Sequence, residues 1–285
     1  MLLRATLTFV FLVLAILPSA AAPALWKVSD EDSSVWIFGS VYRLPDYIEW
    51  RTGTLDKTLS KADLVYFEVT YTNADPATLL PLVMRMSFNQ DNTLLSDHVD
   101  PGTMQRVRDA AAKFSLDMAY LLTMQRTLAA STIASAADAA AGYHQETGVQ
   151  AVLEVSIPGE RLGYLETPES QADMSTTITD DEQAAMLEGA LVYAEVPRAD
   201  LDDLVLAWAN GDPEGLGLLH AGKLGAGYSG DGIWLRRKRT WTDQIQDMLA
   251  ADQQSLMVID IENLVGDTSL IRLIEARGFT VSRLQ

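Results

Sequence analysis

Cysteine is absent from this chain and histidine occurs only three times. Without cysteine, an exported protein has no disulfide framework and no thiolate metal site, so its stability rests on packing. Basic residues are also scarce: 21 Lys and Arg stand against 39 Asp and Glu, for a net charge of −18. That balance argues against nucleic acid and anionic lipid as partners. Long apolar runs are missing, with one exception at the amino terminus. There "MLLRATLTFVFLVLAILPSAAAPALWK" places one basic residue, Arg4, before about a dozen apolar residues and then small ones, the anatomy of a secretory signal. Cleavage after Ala21 is expected, leaving one domain over residues 22–285 in the periplasm or secreted medium. A retained anchor would need about twenty apolar residues, more than this run supplies before Pro18. No later run reaches membrane length, so no stable membrane anchor is expected after cleavage.

What the chain does contain is alternating structure. "LWKVSD" and "SVWIFGS" read as two strands joined by an acidic turn, followed by a helix over roughly 50 to 61. "DLVYFEVT" is the next strand, expected to pair parallel to the one before it because helices flank it. From Pro76 to about Leu153 the pattern is helical, including the alanine-rich "LAASTIASAADAAAG". Alanine is the best helix former, and Leu128, Ile133 and Ala137 recur at helical spacing, so this stretch is a packed helix rather than a linker. A short strand "RLGYLET" follows, with Thr167 and Pro168 suited to cap and begin a helix. Helices over about 180 to 195 and 200 to 209 come next. The glycine-rich "GLGLLHAGKLGAGYSGDG" lacks the ending of a phosphate loop and reads as an irregular connection. The chain closes with a helix, strand "SLMVIDI", a helix and strand "FTVSRL". The expected fold is α/β, a central mixed sheet of strands from both chain ends with a largely helical insertion in the middle.

Two segments echo each other. Strand 35–39 runs into "GSVYRLP", then a helix and a strand; strand 256–260 runs into "DIENLVG", then a helix and a strand. Ligands of open α/β sheets bind beyond the carboxyl ends of the strands, so both loops are expected to face one cleft.

The stretches "WIFGSVYRLP", "ADLVYFEV", "RLGYLETPESQ", "WLRRKRTW" and "VIDIENLVGDTSLIRLIEARGFTV" together resemble the TraB/GumN family, which includes the TIKI-type proteases and is distantly similar to the erythromycin esterase and haem-uptake group. The resemblance implies a Gly-x-x-His after the first core strand, a glutamate ending the next, a Leu-Glu-Thr followed by a glutamine, an Arg-Asn before a tryptophan, and a second Gly-x-x-His. Gly39, Glu68, Glu166, Gln171 and Arg237 match. Tyr42 and Asn263 stand where the two histidines belong, Lys238 replaces the asparagine, and Asp260 and Glu262 replace small residues. The animal TIKI members are metal-dependent peptidases, so the resemblance implies a cleft in which Glu68, Tyr42, Asn263 and Arg237 occupy catalytic positions and Gly39, Glu166 and Gln171 binding positions.

The chemistry at those positions has changed. A tyrosine of ordinary pKa is mostly protonated, and an asparagine amide cannot exchange protons, so neither replaces imidazole as a transition-metal ligand or base. His98, His144 and His220 lie outside both motifs and read as ordinary histidines. Asp260 and Glu262, two apart at a strand end, would point the same way, and Glu68 could join them. Such a trio would take a hard divalent cation such as calcium or manganese, with Zn a further divalent candidate, or perform paired carboxylate catalysis; drift toward general surface acidity is the simpler account. "RRKR" at 236–239 reads as a helix face paired with acids, with Arg237 turned inward toward Glu68 or Glu166. Trp26, Trp36 and Trp50 read as core and rim packing. The expected function is therefore non-catalytic: an exported binding or accessory protein without a cofactor, acting on an unidentified periplasmic ligand or peptide, with envelope or polysaccharide processes implied by the resemblance. The alternative is a TIKI-like metal-dependent hydrolase using acidic ligands.

Overall fold

A computed structural model of the chain describes residues 21–30, 32–69, 76–90, 92–217 and 232–285. Nearly all of the expected signal, most of the glycine-rich connection and His220 lie outside the described residues.

Strands β1 (Leu25–Ser29) and β2 (Ser34–Ser40) form an antiparallel pair across the acidic turn. Helix α1 (Gly53–Lys61) follows, begun by Thr52, whose side chain accepts from the Leu55 amide. It returns the chain to β3 (Leu64–Val69). After the helical region come β4 (Leu162–Glu166), β5 (Ser255–Asp260) and β6 (Thr280–Arg283). The sheet order is β4-β3-β5-β2-β1-β6, and β1 alone runs against the others.

The mixed α/β architecture is as the sequence predicts, with one strand placed differently. β3 runs parallel to β2 but does not pair with it, because β5 lies between them. The physical reason is burial. Ser255 to Ile259 of β5 are all at 1% exposure or less, a run apolar on both faces that belongs at a sheet centre. Pairing of Gly39 with Ile259 and of Ser40 with Asp260 sets the two echoing loops side by side. On the other flank, Val69 of β3 pairs with Glu166 of β4. Four strand ends therefore open onto one edge of the sheet.

The helical region is α2 (Pro76–Ser87), α3 (Pro101–Phe114), α4 (Met118–Thr123), α5 (Arg126–Ala141), α6 (Val149–Glu154), α7 (Pro168–Ser175), α8 (Asp180–Glu195) and α9 (Arg198–Ala209). It is less continuous than the sequence predicts: an isolated Phe88–Met124 bridge and another between Leu44 and His144 interrupt it. The alanine-rich α5 is indeed a packed helix. Ala129, Ala130, Ile133 and Ala137 are buried in one cluster with Leu187, Ala190, Leu191 and Ala194 of α8. Small side chains there permit close approach of the two helices. Thr167 caps α7 and Pro168 begins it. The remaining helices, α10 (Ile233–Ala250) and α11 (Leu270–Ala276), bracket β5. Trp26, Trp36 and Trp50 are all buried in the sheet core. Among the described residues no helix is long and apolar enough to cross a membrane.

Candidate functional site

A cavity of about 540 Å³ lies beyond the strand ends, roofed by α5, α8 and α9. Its polar floor carries Tyr42, Glu68, Arg237, Lys238, Asp260, Glu262 and Asn263; its far wall is apolar at Ala134, Met186, Leu204, Val205 and Trp208 and polar at Asp138 and Tyr193. A smaller cavity of about 350 Å³ sits between α3 and α8 around His98 and Glu188, away from the sheet. The larger cavity is the one the topology predicts, because it collects residues from separate strand ends.

Arg237 organises the floor. Its position on α10 turns it inward, and its Nη2 donates to Glu68 Oε2 at 2.9 Å while Nε donates to Glu166 Oε1 at 2.8 Å. Nη2 also reaches Glu166 Oε2 at 3.1 Å, giving a two-bond fork on that carboxylate. Trp234 and Trp241 place their rings 5.0 and 4.7 Å from the guanidinium carbon. The remaining acceptor sites are also engaged. Trp241 Nε1 donates to Glu166 Oε1, Gln171 Nε2 to Glu166 Oε2, and the Asp260 amide to Glu68 Oε1. Burial alone pulls the Arg237 pKa down, but Glu68 and Glu166 outweigh it and raise it above the ordinary arginine value. These two carboxylates are thus engaged as hydrogen-bond acceptors, a structural tie across β3, β4 and α10.

Tyr42 projects from the loop after β2. The residue as a whole is 36% exposed and lines the cavity. The hydroxyl is buried beside Glu68 and Asp260, and burial first, then those two carboxylates, push its pKa well above 10. Tyr42 therefore remains a neutral phenol at neutral pH, a hydrogen-bond donor rather than a base or metal ligand.

The second loop does not continue the strand. After Asp260 the chain turns into a single 3₁₀ turn, Ile261–Asn263, and the Asp260 carboxylate caps it by accepting from the Glu262 amide at 2.9 Å. The strand alternation predicted to align Asp260 with Glu262 accordingly does not apply. Gly266 closes the loop at φ +81°, a left-handed conformation that explains why the glycine persists there. Burial, then Glu262 and Glu68, raise the Asp260 pKa well above the usual carboxylate range. Among the described residues no group of three or more His, Cys, Asp or Glu is arranged to hold a metal ion. The donor set is poor for a transition metal: a neutral phenol, a buried amide at Asn263, and Glu68, Glu166 and Asp260 carboxylates already engaged by arginine or backbone.

Gly39 is structural rather than ligand-facing. Its amide donates to Ala24 O and its carbonyl accepts from Trp208 Nε1 at 2.8 Å. His144 pairs through its backbone with Leu44 but exposes its ring, and His98 Nε2 lies 2.6 Å from Thr93 Oγ1. Neither approaches the floor of the large cavity.

Sequence reasoning missed the opposite wall. Asp138 on α5 is buried, receives the Tyr193 hydroxyl and lies 3.4 Å from Arg43 of the first loop. Burial raises its pKa, with Tyr193 and Arg43 opposing. A signal was available: Asp138 is the only charged residue between Arg126 and Glu146, a lone acid in an alanine-rich helix. The basic run at 236–239 also divides differently from a solvated face. Arg236 and Arg239 are exposed, whereas Arg237 and Lys238 are at 8% and 6% exposure.

No curated protein and no solved structure matches the chain. Residues 24–283 do match a family, nearly the whole length that carries the sheet, the loops and the cleft: the chain belongs to the TraB/PrgY/gumN family.

Proposed function

We propose that this chain is an exported binding protein whose cleft has lost the hydrolytic apparatus implied by its resemblance to the TIKI-type members. The observation that carries the reading is the chemistry of the floor. Each oxygen of Glu68 and Glu166 accepts a hydrogen bond from Arg237, Trp241, Gln171 or the Asp260 backbone. The two positions that would hold imidazoles carry a phenol kept protonated and a buried amide. A general base or metal ligand at neutral pH needs an available lone pair, and those groups offer none of comparable strength. What remains is a shaped cavity, polar at the sheet and largely apolar at the helices apart from Asp138 and Tyr193, of a size suited to a small molecule or a short peptide segment. Export rests on the leader at residues 1–21, and the net charge of −18 disfavours nucleic acid. A role in envelope or polysaccharide processes is the family-level setting for such a protein.

One observation favours a second reading, a hydrolase using an acidic metal site: Glu68 and Glu262 both act on Asp260, and a cation would relieve that repulsion. Metal content separates the two. Purified mature protein is expected to retain no stoichiometric manganese, calcium or zinc after dialysis, and to show no metal-stimulated peptidase activity. The triple change Tyr42→His, Asn263→His and Glu262→Gly is expected to improve transition-metal binding. Retention of one metal by the wild type, lost on Glu262→Ala, would replace the binding-protein reading with the hydrolase.

A further inference from the structure

Lys238 is the one cation on the cleft floor without a partner among the described residues. It is 94% buried on the inward face of α10, one residue after Arg237, and it lines the large cavity. Arg237 is held by Glu68 and Glu166, and Arg43 by Asp138 and Ser135. The Lys238 ammonium makes no hydrogen bond or ion pair with any described residue. Burial is the sole cause acting on it, and it lowers the lysine pKa. A largely buried ammonium that has no partner among the described residues and lines a cavity carries a desolvation cost that a fold does not recover by itself. Lysine in such a place is explained if something else supplies the counter-charge.

On the reading of the cleft as a ligand site, we propose that Lys238 anchors a single carboxylate of a ligand whose apolar body lies against Met186, Leu204, Val205 and Trp208. One unmatched positive charge calls for one negative charge. A dianion such as phosphate or sulfate would also face Asp260 and Glu262 across the same cavity, so the monoanion is favoured. The apolar wall under α8 and α9 supplies the rest of the binding free energy, because the half-buried Met186 and Leu204 and the buried Val205 and Trp208 line the same cavity. The carboxylate can belong to a free aliphatic acid or to the carboxyl terminus of an apolar peptide; the chemistry at Lys238 is the same.

Titration calorimetry of the mature protein with decanoate, decanol and decylamine tests the charge requirement. N-acetyl-dileucine and its carboxy-terminal amide test the peptide source. Decanoate or the peptide acid is expected to bind, and Lys238→Met to weaken that binding by about ten- to a hundredfold, the loss expected for a charge-assisted contact. Decanol or the peptide amide should bind no better to wild type than to Lys238→Met. Binding of the aliphatic acid alone identifies a free acid, and of the peptide acid alone a peptide terminus. A second readout guards against misfolding: removing an unpaired buried charge is expected to raise the ligand-free melting temperature, by roughly 2–4 °C. The proposal is overturned if neither acid binds, if wild type and Lys238→Met bind the acids equally, if decylamine is preferred, or if Lys238→Met melts lower while Lys238→Gln melts lower too. Those results leave the binding-protein reading in place, which falls separately on retained metal and hydrolysis.

Discussion

Two neighbouring regions of the cleft floor treat charge in opposite ways. Around Arg237 the two buried carboxylates and the guanidinium satisfy one another through bonds of 2.8 to 3.1 Å, with two indole rings and a glutamine completing the shell. Around Tyr42, Lys238 and Asp260 the burial is uneven, with Lys238 buried, Asp260 half-buried and Tyr42 partly exposed, and their pKa values are displaced toward the neutral form. The first region joins three elements of the fold. The second faces the cavity, and its groups lack the compensation that the first possesses. The lesson is that residues matching a family motif need not be the residues left to perform a function. On the proposed binding-protein reading, Glu68, Glu166 and Arg237 act as scaffold, and recognition falls to the altered positions.

The most severe way to break this contrast is to make the first region resemble the second. Arg237→Met leaves Glu68 and Glu166 buried without their cation, and should cost about 3–5 kcal/mol of stability in urea denaturation. Adding Glu68→Gln and Glu166→Gln removes the stranded charges and should recover most of that loss. If Arg237→Met alone costs less than about 1 kcal/mol, the tie across β3, β4 and α10 is not structural and the contrast disappears.

A smaller effect is expected where the first loop is held in place. Gly148 precedes α6, and a Cβ there would stand 2.0 Å from the backbone oxygen of Tyr42, which has no flexible end to move aside. The adjoining Val149 amide donates to Val41 O, so α6 and the loop are fastened at this point. Gly148→Ala should cost about 1–3 kcal/mol and displace Tyr42 from Glu68 and Asp260. The near-ultraviolet signal of tyrosine, or a crystal structure, would report the displacement; an unchanged stability would show that the loop is not pinned and that the second region is set by the cavity alone.

Much of the fold was legible because local pattern and tertiary position agree. β2 and β5 are buried on both faces and read as continuous apolar runs, and Thr167 with Pro168 mark the start of α7 before any packing is considered. The insertion of β5 between β2 and β3 was not legible, since periodicity does not encode strand order. At the site, Arg237 could be turned inward by its motif, but the burial of Lys238 beside it was hidden inside a basic run that resembles a solvated face. Asp260 and Glu262 do line one cavity, but not through strand alternation, which ends where the Asp260 carboxylate takes the Glu262 amide and starts a tight turn. Asp138 announced itself by isolation in α5, but its partners Arg43 and Tyr193 come from distant segments and only the folded chain unites them.

The finest test of the contrast concerns Asp260. Its native pKa is raised by burial and by Glu262 and Glu68, so the native state holds this proton to higher pH than the unfolded chain, whose ordinary value is 3.8. Below that value both states are protonated and Asp260 is harmless to the fold. As pH rises from about 4 through the native pKa, the unfolded state has already lost the proton and the native state has not, so stability attributable to this group declines. Asp260→Asn keeps an oxygen to accept from the Glu262 amide and carries no proton to lose. Relative to wild type, the asparagine variant should therefore become progressively more stable as pH rises across that window, then hold a constant difference above it. Urea denaturation of both proteins at a series of pH values reads the slope directly. A difference that is flat with pH would mean that Asp260 is ionised and fully compensated in the native state, which would make the second region as well paired as the first; a difference of opposite slope would mean that a cation-like partner already serves it, with Lys238 the nearest kind of group to examine by the same titration.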